Sequence, residues 1–343
     1  MTAGALAELR PDDPAWVALA TGPGASPFHH PAWLRTLEEA YGYRGLALAV
    51  LDGSGRVTAG LPVLRVARPG REAWVSLPFT DHCPPLAADA GALDALAAGV
   101  AAWQAARRVR LEVRGALPAG PGREAAPAGV RHVLPLDGGA EAVGRRLPRP
   151  VLRHVRSAER AGLRARVTRS AADLPAFYRL HARTRRRLGV PVQPRRFVAA
   201  LWRHVVEAGP GFAVLAERPD GEAVGAGLYL LAGATAVMKF SASEPSGWHL
   251  KPNHLVTWAA IERACAGGCA ALDFGRSELR HAGLRRYKAS WGAEEVPLVY
   301  TCVGGGAPAA GPGRLRGAME AVIRRSPVVV CRAVGELLYP LAG

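Results

Sequence analysis

Lysine is rare in this sequence, so each lysine that is retained is a candidate for chemistry. Among 343 residues there are 44 Lys and Arg, and only Lys239, Lys251 and Lys288 are lysines. Arginine presents a planar fork of donors, whereas lysine presents a compact, strongly hydrated point charge. The retention of Lys288 between Tyr287 and Trp291 therefore predicts a site that needs a compact ammonium. The alternative is a surface lysine on a turn.

Other charged residues lie in the same stretch. Asp273 and Arg276 flank Gly275 at the end of the predicted strand AALDFGR. We predict that they either contact a ligand or pair with each other, since an Asp–Arg pair at a strand end is also an ordinary structural brace. Lys251, in the loop WHLKPN, is predicted to contact a phosphate, and Lys239 to lie at a solvated strand end.

No nucleophile stands in a catalytic sequence context. Ser277 lacks the G-x-S-x-G context of a serine hydrolase. The five cysteines form no C-x-x-C and no Cys/His cluster at metal-ligand spacing, and their odd number suits a reducing compartment. We therefore predict no metal site and no Ser or Cys nucleophile.

Positive charge is the dominant feature of the composition. The net charge of +16 creates a field that attracts polyanions. Two arginine clusters are candidate phosphate-binding surfaces; the alternative is a solvated face in an Arg-biased chain. The first cluster, spaced three and four residues apart, is Arg149, Arg153, Arg156, Arg160 and Arg164; the second is Arg183, Arg185, Arg186, Arg187, Arg195 and Arg196.

Hydrophobic periodicity predicts an α+β protein with two similar modules. The predicted domains are 1–140, 141–305 and a linker with a C-terminal helix at 306–343. Two strands, AVGAGLYLL and TAVMKFSAS, are predicted to join around Gly233. The predicted helices are Pro31–Tyr41, Gly91–Arg108, Asp173–Leu188, Pro194–Glu207 and Asn253–Ala266.

No membrane-spanning helix is predicted, because the longest uncharged stretch, Ala223 to Met238, is shorter than the ~20 residues that a spanning helix needs. The opening MTAGALAELRPDDPAW has no basic region followed by an apolar one, so we predict no signal peptide and a cytoplasmic location. The segment 314–339 is predicted to dock on the second module, with peripheral membrane contact as a further possibility. Its apolar side is predicted to carry Leu315, Met319, Val322 and Ile323.

Several motifs between residues 239 and 292 resemble the second acetyltransferase-like (GNAT) domain of Fem-type enzymes. They are the helix after Asn253 and Trp258, the run D-F-G-R-S ending at Ser277, and G-L-x-x-Y-K-x-x-W-G ending at Gly292. The N-terminal stretches FHHPAWLRTLEEAYGY and SLPFTDHCPPL are also similar to that family, as is LRHVRSAERAGLRARV. The likeness covers nearly all of 26–303.

This resemblance implies tandem GNAT-like α+β domains and an acyltransferase. The family includes enzymes that transfer amino acids from aminoacyl-tRNA to an amine of a peptidoglycan precursor or small metabolite, without a further cofactor. It places Lys288 beside the reacting carbonyl, with Asp273 and Arg276 as the other catalytic candidates. The implied substrate-binding residues are Asp81, His82, Arg153, Lys251, Asn253, Tyr287 and Trp291, and the implied RNA-binding residues are Arg149, Arg156, Arg160 and Arg164.

The predicted donor depends on one loop. CoA-dependent acetyltransferases hold the pyrophosphate on bare backbone N–H groups of a glycine-rich turn at a helix N-terminus. The matching segment 243–255, SEPSGWHLKPNHL, has one glycine and several bulky residues. It therefore predicts weak CoA binding. An acyl-CoA-dependent N-acyltransferase with an atypical loop is the alternative, and an inactive RNA- or glycan-binding relative is a third possibility.

Overall fold

The computed structural model describes residues 6–68, 71–306 and 314–341. The chain divides into two compact units. The first consists of Met1–Val130, Pro297–Gly311 and Pro340–Gly343, and the second of Arg131–Val296 and Pro312–Tyr339. Most of the predicted glycine- and proline-rich linker 304–313 lies outside the described residues, as do residues 1–5.

The first unit is a sheet covered by helices. Its elements are β1 Leu6–Leu9, α1 Pro14–Ala20, α2 Pro31–Tyr41, β2 Arg44–Leu51, β3 Val57–Arg68, β4 Arg71–Val75, β5 Leu86–Ala87, α3 Ala90–Arg107, β6 Arg110–Val113 and the start of β7 Arg123–Pro135. The strand order of this unit is β1-β2-β3-β4-β6, followed by Thr301–Val303 at the end of strand β13. Helix α3 places Leu96, Val100 and Trp103 on the sheet, and the Trp103 ring meets the edge of Trp74 with ring centroids 5.3 Å apart.

The second unit repeats this α+β design on a larger scale. It begins in β7 and ends in helices after β13, and its strand order is β7-β12-β11-β10-β9-β8. Its elements are α4 Gly139–Arg146, α5 Arg149–Arg160, β8 Arg164–Thr168, α6 Leu174–Leu188, α7 Arg195–Leu201, β9 Gly211–Glu217, β10 Ala223–Ala232, β11 Thr235–Ser243, α8 Pro252–Ala266, β12 Ala271–Ser277, α9 Ala282–Ala289, the start of β13 Glu294–Val303, α10 Arg314–Arg325 and α11 Val328–Leu338.

Local signals account for most of the helix bounds. The predicted helix Pro31–Tyr41 is confirmed at both ends, since Pro31 suits the first helical position and Gly42 closes the helix with a φ of 70°. The strands predicted around Gly233 are also confirmed as β10 and β11. The predicted α+β class is confirmed by the order of helices and strands in both units.

The core of the second unit lies between its sheet and helices α4, α5 and α8. Phe212 and Val214 of β9 belong to the same buried cluster as Val151 and Val155 of α5. Ile261 of α8 belongs to this cluster as well. The other face of the sheet carries α6 and α7. The polar side chains described below project from the same elements, so this core determines where they lie.

The C-terminal helices α10 and α11 pack against α6 within the second unit. Gly189, which ends α6 with a φ of 74°, contacts Glu320 and Arg324, so the predicted docking on the second module is observed. The predicted apolar side needs correction: Ile323 is buried, but Val322 is 60% exposed. The side chain of Leu315 lies outside the described part. Within the described residues, no helix combines the length and apolar content needed to cross a bilayer.

Candidate functional site

The sheet of the second unit opens between two parallel strands. β11 and β12 pair through only three residue pairs, ending at Val237 and Asp273, yet both strands continue beyond that point. Helix α8 starts at the carboxyl end of β11, after a 3₁₀ turn at Pro245–Leu250. Carboxyl ends of parallel strands where a sheet opens are common ligand sites. This edge of the sheet is therefore the candidate site.

Lys288 is buried at the end of β12. The side chain comes from α9, the residue is 5% exposed, and Nζ donates to the carbonyl oxygens of Gly275 at 2.7 Å and Arg276 at 3.1 Å. This excludes the surface-turn alternative. The ammonium closes a turn in which Gly275 has a φ of 72°, a conformation that favours glycine.

Asp273 is buried in β12, two residues before Gly275. Its carboxylate accepts from Arg131 Nη1 at 3.0 Å and from the Gly275 N–H at 2.8 Å. Arg131 lies on the neighbouring strand β7 and was not predicted from the sequence. Asp273 thus braces the same turn that Lys288 closes, which favours a positioning role for its carboxylate.

A buried imidazole lies near the ammonium. His132 of β7 has Nε2 3.1 Å from Glu295 Oε1, and burial and the charge of Lys288 lower its pKa. The Arg285 guanidinium bonded to Glu295 lowers the pKa of that carboxyl to about 2. A neutral ring beside a carboxylate donates from Nε2, which leaves Nδ1 as a buried acceptor without a hydrogen-bond partner among the described residues.

A pair of histidines joins α5 to the first turn of α8. His154 Nδ1 lies 3.2 Å from His254 Nε2, and the two rings meet edge-on with centroids 4.6 Å apart. Burial, then His154 and Lys251, lower the pKa of His254 to about 4. Burial, then Lys251 and Arg153, lower the pKa of His154. Two neutral rings share one hydrogen bond in a positively charged setting.

The depressed His254 pKa predicts an acid-sensitive fold. Unfolded histidine titrates near 6.5, so the unfolded chain takes up this proton first as the pH falls. The free energy of unfolding should therefore decrease between about pH 6.5 and pH 4. In His254→Gln the slope of the free energy of unfolding against pH should be smaller by up to about 1.4 kcal/mol per pH unit. The measurement is denaturant unfolding at several pH values.

A matched control accompanies this titration. His249→Gln changes an exposed histidine of the 3₁₀ turn that precedes α8 and should leave the slope as in the wild type. If the pH dependence of the free energy of unfolding is the same in His254→Gln as in the wild type, the pKa of His254 is not lowered in the folded chain.

The structure gathers five predicted substrate-binding residues around this pair. Together with burial, the positive charges of Lys251 and Arg153 lower the pKa of His154. The centroid of the His254 ring lies 5.7 Å from that of Tyr287 and 5.8 Å from that of Trp291. Asn253 follows Lys251 in the first turn of α8. These residues, separated by up to 138 positions in sequence, form one neighbourhood in the second unit.

Two members of this group differ in what they can contact. Trp291 is 0% exposed and belongs to the hydrophobic core of the second unit, and its predicted contact with substrate stays a prediction. Asn253 Oδ1 and Ser277 Oγ are buried and have no hydrogen-bond partner among the described residues. Unpaired buried polar groups are rare and require an explanation, such as a bound ligand.

The first arginine cluster forms an exposed face of α5. Arg149, Arg153, Arg156 and Arg160 are all exposed, while Val151, Val155 and Ala158 are buried beneath the helix. No carboxylate in the described ranges forms an ion pair with any of these four arginines. Arg164 is exposed too, but it begins β8 rather than continuing the helix face. The RNA-binding prediction is therefore best tested on the helical positions.

The second arginine cluster is largely used inside the unit. Arg185 Nη2 donates to Tyr339 Oη at 2.7 Å, Arg186 Nε donates to the Ser326 carbonyl at 2.6 Å, and Arg196 pairs with Glu336 at 2.8 Å. Arg183 pairs with Glu244, and the Arg187 guanidinium lies over the Trp248 ring. Arg185, Arg186 and Arg196 thus fasten the C-terminal helices to α6 and α7, whereas Arg183 and Arg187 hold the segment after β11. These contacts account for the cluster without a polyanion.

The loop with Asp81 and His82 lies in the first unit. Two hydrogen bonds hold this loop. Tyr300 Oη donates to the backbone carbonyl of Asp81 at 2.7 Å, and Trp33 Nε1 donates to the side-chain hydroxyl of Thr80 at 2.9 Å. Both Asp81 and His82 are half-buried. Leu77 and Phe79, just before them, have φ values of 65° and 59°, which are strained for bulky residues. Backbone strain of this kind is concentrated at functional sites, which favours a role of this loop in substrate binding. That role stays a prediction.

The partners that complete the site were not predicted from the sequence. His154 and His254 are 100 residues apart, and Arg131 is 142 residues from Asp273, so no local spacing relates them. The only sequence signal for His154 is the helical spacing of the arginines in 149–160, because it places His154 on the same predicted helix as Arg153. α9 was also missed, because its short sequence AGLRRYKA has few apolar residues.

Comparisons with known proteins agree with the fold. A sequence model of the GNAT acetyltransferase domain matches residues 146–289. No curated protein matches the chain. The crystal structure of FemX superposes with a TM-score of 0.68 at 14% identity, over 82% of this chain and 93% of FemX.

Two further structures are similar over most of their length. L-PGS from Bacillus licheniformis superposes with a TM-score of 0.56 at 13% identity, over 93% of this chain and 97% of its own. A tandem GNAT protein from the clavulanic acid biosynthesis pathway, without AcCoA, superposes with a TM-score of 0.55 at 18% identity, over 88% of this chain and 99% of its own. The fold that the Fem-type resemblance implied is confirmed, and the match of residues 146–289 to a GNAT acetyltransferase domain supports an acyltransferase.

Proposed function

We propose that the protein transfers an aminoacyl group from aminoacyl-tRNA to an amine of a peptidoglycan precursor or small metabolite. A neutral amine attacks the ester carbonyl, and the C–N bond forms as the carbonyl oxygen takes the negative charge. The tetrahedral species then releases the tRNA hydroxyl, and the proton lost by the amine passes to it. Such aminolysis needs placement and oxyanion stabilisation rather than a covalent nucleophile.

The observation that carries this proposal is the first turn of α8. Pro245 and Pro252 have no backbone N–H, and the N–H groups of His254 and Leu255 both point to the Lys251 carbonyl, at 3.1 and 3.4 Å. A pyrophosphate cradle needs several unused N–H groups at a helix start. Lys251 also adopts a left-handed φ of 60°, with a side chain where a cradle has bare backbone. This supports a donor other than CoA.

The charges around α8 support a nucleic-acid donor. The exposed face of α5 carries four arginines, and its residue Arg153 lies close enough to Lys251 for both to depress the His154 pKa. Phosphate contacts from such a face hold a polynucleotide without reading its sequence. The face therefore offers a path for the acceptor stem of a tRNA toward the site.

The side chains of the site are assigned roles on this basis. Lys288 places a positive charge at the opening of the sheet, where it stabilises the oxyanion, while Asp273 holds the turn that receives it. The Asn253 Oδ1 acceptor suits an N–H of the aminoacyl group, because it is buried and has no partner in the described chain. Arg276, whose carbonyl binds Lys288, lines the same strand end.

An acyl-CoA-dependent N-acyltransferase is the second candidate. The match of residues 146–289 to a GNAT acetyltransferase domain favours it. The two functions differ in the donor and share the acceptor chemistry, since both produce an amide.

One experiment separates the two donors. We expect product mass to increase by an aminoacyl residue when the protein is incubated with amine acceptors and charged tRNA, and no product with acetyl-CoA. Calorimetry should detect weak acetyl-CoA binding or none. The matched control is the same assay with uncharged tRNA. Tight acetyl-CoA binding accompanied by turnover would overturn the tRNA proposal in favour of the second candidate.

A further inference from the structure

The C-terminal helix α11 turns its small residues inward. Cys331 and Gly335, one turn apart, are its buried residues. A Cβ added at Gly335 would stand 1.8 Å from the Val192 carbonyl oxygen, so the helix backbone lies directly on the segment after α6. Because no larger residue fits there, this contact determines which face of α11 points outward.

The outward face of α11 is apolar and open to solvent. Val329 and Leu337 are each 72% exposed, and Val330 and Leu338 are 43% and 37% exposed. Ala333, one turn from both Val329 and Leu337, is exposed as well. Residues spaced by four share a helix face, so these side chains form one stripe, which we call the α11 stripe. Contiguous exposed apolar surface marks an interaction site.

Positive charge borders the α11 stripe. The segment 314–341 contains five arginines and two glutamates. Both glutamates are ion-paired, Glu320 with Arg324 at 3.9 Å and Glu336 with Arg196 at 2.8 Å. Arg325, at the end of α10, is exposed and forms no ion pair within the described ranges. The acidic groups near the stripe are therefore neutralised, and the excess charge is positive.

We propose that the α11 stripe docks on an anionic membrane surface. An apolar helix face with arginine at its border is the composition of helices that lie in the plane of a bilayer interface. Anionic lipids attract basic residues at that border, whereas a second copy of this chain, also at +16, would bring like charges together. The proposal concerns α11 and does not depend on the identity of the acyl donor.

The test is cosedimentation of the full chain with lipid vesicles. The wild type should bind vesicles of phosphatidylcholine with phosphatidylglycerol, and bind pure phosphatidylcholine much more weakly. Val329→Asp with Leu337→Asp should weaken binding at least about tenfold, since two apolar side chains no longer enter the interface. Arg325→Glu should weaken binding roughly fivefold or more at low salt, and less at high salt.

Controls separate this surface from general charge and from misfolding. Val167→Asp introduces one aspartate, half the charge of the double variant, at an apolar side chain of β8 that is 39% exposed, and it should bind vesicles nearly like the wild type. All variants should keep the wild-type circular dichroism, because positions 329 and 337 are mainly in solvent. Wild-type chain that fails to bind anionic vesicles overturns the proposal. If it also dimerises in sedimentation equilibrium, and the double variant does not, the α11 stripe is an interface between copies.

Discussion

Lys288→Ala is expected to reduce the transfer rate by about 10²–10³, the usual loss when one donor to an oxyanion is removed. The structure adds a second expected effect. Nζ is bonded to the buried carbonyls of Gly275 and Arg276, so its removal should also lower the free energy of unfolding by about 1–3 kcal/mol. The alternative of a surface lysine on a turn, which would contribute little to stability, is therefore wrong. Rates should be measured well below the melting temperature of each variant.

Two companion variants separate charge from packing. Lys288→Met keeps an unbranched side chain without the ammonium and should lose as much rate as Lys288→Ala. Lys288→Arg keeps the charge but presents a planar fork where two carbonyls from adjacent residues meet, so rescue should be poor. Donor binding should stay near normal if the contact strengthens in the transition state. Full turnover by Lys288→Ala at saturating substrate would move the reaction centre to Asp273, Arg276 or the loop of Asp81.

Replacing Arg153, Arg156 and Arg160 together by Ala should weaken tRNA binding and flatten its salt dependence. Each phosphate contact contributes about 0.7–0.9 to the slope of log affinity against log salt concentration. If all three residues contact phosphates, the slope should fall by about 2–3. These side chains are exposed, so the fold should be unaffected. Filter binding over a range of salt concentrations measures the slope.

The matched control removes the same formal charge elsewhere. Arg10, Arg56 and Arg65 are exposed and each is ion-paired, with Asp12, Asp52 and Glu72 respectively. Their triple replacement by Ala should change the slope little, because it alters only the general field. Equal slopes for the α5 triple variant and the wild type would show that the α5 arginines are a solvated face.

Sequence patterns were sufficient for the elements that local physics determines. Pro31 and Gly42 bound α2, Gly233 separates β10 from β11, and apolar spacing places Leu96 and Val100 on the inner face of α3. Each of these signals acts within one or two turns of the chain. The resemblance between residues 239 and 292 then indicated the tandem GNAT-like fold, which the structure confirms.

The tertiary structure decided what the charged and polar residues do. Two arginine clusters of similar composition differ in their use, because α6 packs against α10 and α11 while the outer face of α5 is uncovered. Lys288 became a buried brace only because α9 places it at the end of β12, and His254 acquired its low pKa only beside His154. Sequence alone determined that these groups are present. Their burial and their partners arise from contacts between segments a hundred or more residues apart, which no local pattern encodes.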